Sequence, residues 1–130
     1  MRIEVTLLIL AALLQMVQMV IPGYFMTRTP EGRAYNSSPR DADRKPGLLE
    51  GRATRAFENH DKNLLLFAVA VLAVVAGSEG TWWTATLAWV YLLARIAYVP
   101  SYVMGLQPWR SAVWVVSFLA IGLMLLAALF

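Results

Sequence analysis

The chain has 130 residues, 59% hydrophobic and 15% charged, with a formal net charge of +3 and no cysteine. That length suits one domain, and the apolar excess, gathered in runs of about 18 residues or more, argues against a soluble protein and for an integral membrane one. Without thiols there is no disulfide, thiolate metal site or cysteine nucleophile, and a single histidine, His60, argues against an all-protein zinc or copper centre.

The first predicted helix runs from about residue 4 to 26. Arg2 before an apolar run is compatible with a signal peptide. The run is longer than a usual h-region and lacks a small-x-small cleavage site, so a retained helix is expected. Glu4, Ala11, Gln15, Gln18 and Pro22 share one face by their spacing, an inward face where interhelical hydrogen bonds satisfy the glutamines. Thr27 to Leu49 is polar and rich in turn formers, among them Pro30, Gly32, Asn36, Pro39, Pro46 and Gly47, and reads as a long loop. It carries Arg28, Arg33, Arg40, Arg44 and Lys45, whereas the short connection from Gly77 to Gly80 has no Lys or Arg. By the positive-inside rule the 27–49 loop is cytoplasmic and both termini lie on the opposite side, which accounts for the basic residues without nucleic acid.

The second predicted helix, 50–77, changes character halfway. Its first half holds Arg55, Glu58, Asn59, His60, Asp61, Lys62 and Asn63, and from Leu64 onward it is wholly apolar. The apolar half is too short to cross about 30 Å of hydrocarbon at 1.5 Å per residue. The polar half therefore either enters the membrane within a protein interior or stands above it. Arg55, Asn59 and Lys62 fall on one helical face. Glu58 and Lys62 have the spacing of a surface ion pair, and His60 and Asp61 read as solvated.

The third predicted helix, 81–104, opens on Trp82 and Trp83, an interfacial aromatic anchor, and carries Tyr91, Arg95, Tyr98 and Tyr102 in one stripe. Arg95 lies too deep for snorkelling alone and needs a partner inside the protein. A tight turn over 106–109 leads into the fourth helix, 110–130, where Arg110, Trp114 and Ser117 share a face and Ser111 follows Arg110. The expected fold is all-α, an integral-membrane four-helix up-down bundle forming a single domain over residues 1–130. Converging Arg, Asn, Tyr and Ser groups, with no carboxylate pair, suit an anionic polar ligand rather than acid–base hydrolysis. An arginine beside a hydroxyl also suits stabilisation of a bound thiolate supplied by a cosubstrate.

Three motifs together resemble those of the MAPEG family, the membrane-associated proteins in eicosanoid and glutathione metabolism, in a bacterial-type member. They are Arg55-Ala56-x-x-Asn59-x-x-Lys62-Asn63-x-x-x-Phe67, then Arg95-x-x-Tyr98-x-x-x-Tyr102, then Gly105 followed by Arg110-Ser111. Chain length, four helices and a long first loop also agree. The resemblance implies a homotrimer in the bacterial inner membrane, surrounded by lipid, with glutathione as cosubstrate bound between neighbouring subunits on the cytoplasmic side. By the same resemblance Arg55, Asn59, Lys62, Arg95, Tyr98 and Tyr102 hold glutathione, while Arg110 and Ser111 face its sulfur and carry the catalysis. The implied chemistry is transfer of glutathione to a lipophilic small molecule, or reduction of a hydroperoxide.

The chain departs from the family pattern at one point. The family's glutamate is Lys62 here, and Glu58 stands where glutathione-using members are often basic. That departure sustains an alternative, a non-catalytic structural or accessory membrane subunit that holds a lipid or protein partner. A small four-helix exporter is disfavoured, because such transporters need a carboxylate deep in the first helix and Glu4 lies at its end.

Overall fold

The structure is a computed structural model that describes residues 2–77 and 80–130. Of the 77–80 connection used above to orient the chain, Ser78 and Glu79 fall outside the described residues. The described residues form five helices and no strand: α1 (Ile3–Met26), α2 (Pro30–Ser37), α3 (Leu48–Gly77), α4 (Trp82–Val103) and α5 (Trp109–Leu129).

The 27–49 segment is not simply a loop, since it contains α2. The turn formers that argued for a loop also start this helix. Thr29 is its N-cap, accepting a 3.0 Å hydrogen bond from the Gly32 amide, and Pro30 takes the first turn, where its missing N–H costs nothing. Gly32 is there because a Cβ would overlap the Met26 carbonyl. Beyond α2, Arg44 pairs with Glu50 at 2.7 Å and so ties the segment to the first turn of α3. The hydrogen bond to that carboxylate raises the pKa of the Arg44 guanidinium further above its already high value.

α4 begins with a reciprocal cap. The Thr84 amide donates to the Thr81 hydroxyl, and the Thr81 amide donates to the Thr84 hydroxyl. The Thr84 hydroxyl in turn donates to buried Glu4 Oε1 at 2.6 Å, which joins the starts of α4 and α1. α4 ends in a Schellman turn, with Leu106 N–H on the Ser101 carbonyl and Gly105 N–H on the Tyr102 carbonyl. That turn requires Gly105 at φ +68°, a left-handed conformation free of strain only without a Cβ. It sends α5 back along α4.

α1 packs on α3 and α4, and α5 packs on α4 and α3. Between them lies an apolar core that includes Leu7, Phe67, Val71, Leu87, Tyr91, Ile121 and Met124. Phe67 and Tyr91 stack at 3.9 Å between ring centres. The outer surface is also apolar: Leu13, Met16, Val17 and Val20 on α1, Leu65, Val69 and Leu72 on α3, and Phe118, Leu119 and Leu126 on α5 are all exposed. A surface of this kind fits hydrocarbon and not water. Three helices, α1, α3 and α5, are long and apolar enough to cross a membrane, where four were expected. α4 has the length, at 22 residues, but Arg95, three tyrosines and two threonines dilute its apolar character.

Within a membrane the unfolded helices already sit in an apolar medium, so a core deletion loses packing but little transfer energy. Phe67→Ala should therefore cost about 1–3 kcal/mol, below the 3–5 kcal/mol typical of water-soluble cores. Reversible unfolding in mixed micelles measures this.

Candidate functional site

At the α3–α4–α5 junction a cleft of about 450 Å³ is lined by Asn59, Tyr98, Tyr102, Arg110, Ser111, Trp114 and Val115. Each arrives by helical spacing: Tyr98 and Tyr102 are one turn apart on α4, while Arg110, Ser111, Trp114 and Val115 share one side of the first two turns of α5. Arg52 helps hold the junction. Its Nη1 donates to the Val103 carbonyl at 3.2 Å, and its guanidinium lies against the space left open by Gly105.

Hydrogen bonds behind the cleft decide what it presents. Arg95 is 1% exposed and its Nη2 donates to Asn59 Oδ1 at 3.0 Å. Arginine has no acceptor, so this bond fixes the orientation of the Asn59 amide. Asn63 Nδ2 also donates to Asn59 Oδ1, at 3.3 Å. With Oδ1 occupied from behind, a ligand meets Asn59 through its Nδ2 donors. Tyr102 is set in the same way. Its oxygen accepts from Arg55 Nε at 3.1 Å, which leaves its own O–H free to donate.

Two cations lie against the Tyr102 ring, Arg110 at 4.8 Å and Arg55 at 5.8 Å from its centre. Gln107, with its amide oxygen toward Arg110, accepts from Nε at 3.1 Å and from Nη2, which steers that side chain at the head of α5. The polar half of the cleft is thus built of an amide donor, hydroxyls and a guanidinium, and no lining residue is acidic. The other half is apolar, where Trp114 stacks on exposed Phe118 at 5.2 Å between ring centres.

Of the residues singled out in the sequence, Asn59, Tyr98, Tyr102, Arg110 and Ser111 meet in the cleft. Arg55 stands at its edge through Tyr102, and Arg95 lies buried behind it, its guanidinium 4.2 Å from the centre of the Tyr98 ring. Lys62 is exposed and does not line the cleft. Ser117 is fully buried and returns its hydroxyl to the Trp114 carbonyl.

His60 is not solvated, contrary to expectation. It is fully buried, with Nδ1 at 2.7 Å from Gln18 Nε2 and 2.8 Å from Gln15 Oε1. The reason is the α1 face: Gln15 and Gln18, one turn apart, pack on α3 at the level of His60 and find the interhelical partners expected of them. Gln15 Nε2 also donates to Asp61 Oδ1 and to the Phe57 carbonyl. The signal that pairs His60 with them is the sequence of buried positions Ala53, Ala56, His60, Asn63 and Phe67, an inward stripe at helical spacing. Arg52 and Gln107 carried no such signal, because their partners are created by the turn.

A family model described as the MAPEG family matches residues 5–130 of the chain. No curated protein matches it.

Replacing His60 by leucine leaves two buried glutamine amides without their shared partner. The expected loss is about 1–2 kcal/mol, and a glutamine at the same position should recover part of it. Thermal unfolding in detergent reads this, and ligand affinity should stay within about two-fold because His60 does not line the cleft.

Proposed function

The chain belongs to the MAPEG family, and from that membership we propose a glutathione-dependent transferase or peroxidase acting on a lipophilic small molecule in the α3–α4–α5 cleft. The observation that carries the reading is the donor set: Asn59 Nδ2, the Tyr102 hydroxyl and the Arg110 guanidinium converge with no acidic residue among them. Such a surface favours an anion with several acceptor oxygens, as the carboxylates and thiolate of glutathione provide. The volume lies within the range of small-ligand sites.

In this reading Arg55, Asn59, Tyr98 and Tyr102 bind and orient glutathione. Arg95 acts from behind by holding Asn59 in its donor orientation. Arg110 and Ser111 stabilise the thiolate, and the thiol proton leaves to solvent. The sulfur then displaces a leaving group from an electrophilic carbon, the leaving group departing with the electron pair of its bond, or attacks a hydroperoxide, breaking the O–O bond and releasing the alcohol, with a second glutathione reducing the resulting sulfenic acid to the disulfide and water. Trp114, Val115 and Phe118 offer the lipophilic cosubstrate a path from the hydrocarbon. α4 crosses the membrane beside α1, α3 and α5 as the polar inner member of a four-helix subunit, and three subunits assemble with the cleft facing the cytoplasm of a bacterial inner membrane. A ligand's ammonium group meets no carboxylate on the cleft wall of one chain, which leaves it to solvent or to a neighbouring copy.

Calorimetry with glutathione tests the reading. Asn59→Asp exchanges the donor for a carboxylate while still accepting from Arg95, so the fold should hold and affinity should fall about ten- to a hundred-fold. Arg110→Ala should weaken binding by a similar factor and remove the ultraviolet absorbance of the bound thiolate at neutral pH. No heat at millimolar glutathione overturns the proposal. Binding without turnover on any lipophilic electrophile or hydroperoxide supports the accessory, non-catalytic reading instead.

A further inference from the structure

Where α1 ends and α3 begins, a second pocket of about 290 Å³ opens, lined by residues that include Phe25, Arg28, Arg44, Leu48, Leu49 and Glu50. It shares no residue with the cleft. The antiparallel packing of α1 on α3 sets its depth. Gln18 meets His60 across that contact, and from there Arg28 and Leu49 each lie about 15–17 Å toward the same end of the molecule. The apolar run of α1 stops at Met26, which puts this level at the edge of the hydrocarbon.

The pocket wall is cationic. Arg44 sets Nη1 on both oxygens of Glu50, at 2.8 and 2.7 Å, and the Tyr35 ring lies 5.4 Å from its guanidinium. That engages one corner of the fork only. Arg44 Nε is buried and has no partner, a cost that an acceptor oxygen would remove. Arg28 is exposed and keeps most of its donors, with Nη1 on the Tyr24 hydroxyl at 3.3 Å. Two arginines against one glutamate leave an excess of positive charge.

The surroundings are apolar. Leu48 and Leu49 are exposed beside the cations. On α1, Val17, Ile21, Tyr24 and Arg28 fall within an arc of about 60° at 100° per residue. Val17 and Tyr24 are exposed and Ile21 is half-buried. From Arg28 to Val17 is about 16 Å along the axis, close to the roughly 15 Å depth of one leaflet. A strip one leaflet long therefore ends at a cationic pocket. A soluble anion has no use for the strip, and an uncharged lipid has no use for the arginines. A headgroup with its own ammonium would set that cation against two guanidinium groups.

We propose that this pocket binds an anionic phospholipid, its phosphodiester held by Arg28 and Arg44 Nε and an acyl chain laid along Tyr24, Ile21 and Val17. The site stands apart from the cleft and does not depend on what the cleft binds. Because Arg44 also ties the 27–49 segment to α3, a bound lipid fastens that segment at the membrane edge.

Lipid counting tests this on the full chain in nanodiscs of phosphatidylcholine containing a minor share of phosphatidylglycerol, with native mass spectrometry as the readout. Phosphatidylglycerol should be carried about five-fold above its share of the bilayer, the gain expected from one arginine in excess. Arg28→Gln should bring it back to within about two-fold of that share, and Arg28→Lys, which keeps the charge, should retain most of the enrichment. Arg40→Gln removes an exposed arginine outside the pocket and should change nothing. Diacylglycerol, which lacks the phosphate, should not be enriched, and millimolar inorganic phosphate should leave the lipid in place. A parent that carries phosphatidylglycerol at the bilayer share, or an Arg28→Gln variant as enriched as the parent, overturns the proposal. So does an Arg40→Gln variant that loses as much, since general surface charge then explains the enrichment. Displacement by inorganic phosphate overturns it in favour of a soluble anion, and enrichment of diacylglycerol in favour of an acyl-chain groove.

Discussion

One hydrogen bond, from Arg95 Nη2 to Asn59 Oδ1, connects most of what distinguishes this chain from a generic set of apolar helices. It crosses from α4 to α3 behind the cleft, and it needs a guanidinium held in the buried interior between the helices. That is possible because α3 and α4 face each other there with small or polar groups. Ala56, Asn63 and Ala94 leave room, and the Tyr98 ring covers the cation. Above the bond Asn59 becomes a donor. Below it the Phe67–Tyr91 stack closes the apolar core.

α3 then divides its circumference among three environments. One stripe, Ala53, Ala56, His60, Asn63 and Phe67, faces α1 and the interior, where His60 Nδ1 and Asn63 Nδ2 find partners within the chain while His60 Nε2 has none. An adjacent position, Asn59, opens on the cleft. The remaining arc faces outward and passes from charged to apolar along the helix. A residue's neighbours in sequence therefore say little about its surroundings here. Asn59, His60 and Lys62 lie within one turn of one another, and they serve a cleft, a core network and an outer face.

This explains why the fold was more legible in the sequence than the site. Long apolar runs and the inward face of Glu4, Ala11, Gln15, Gln18 and Pro22 follow from periodicity alone, and the first four are buried while Pro22 is half-buried. The cleft residues on α4 and α5 were legible for the same reason, since polar groups at helical spacing in an apolar helix have few explanations. His60 was misread because its partners lie 42 and 45 residues away on another helix, and local charge density outweighed the stripe to which it belongs. α2 was missed because Pro30 and Gly32, read as turn formers, are a helix start and a close approach to α1. Arg52 and Gln107 depend on the turn around Gly105, whose geometry exists only once α4 and α5 have docked.

The unpaired charge on Arg95 links stability to ligand choice. Its Nε and Nη1 have no hydrogen-bond partner, and among the described residues no carboxylate lies within ion-pair distance of it. A buried cation satisfied by one amide oxygen and one aromatic ring is costly in a medium of low dielectric. The same low dielectric lets its field reach the cleft, because charge interactions there are screened far less than at a wet surface. In the proposed reading, an anion bound between Asn59, Tyr102 and Arg110 would relieve part of the cost of burying Arg95, and a neutral or cationic ligand would not. A carboxylate at the back of the cleft would make the empty fold more stable and cancel that preference. In the proposed reading, part of the energy lost to an incompletely compensated guanidinium would be recovered when an anion occupies the cleft, and a residue that need not touch the ligand would contribute to that preference.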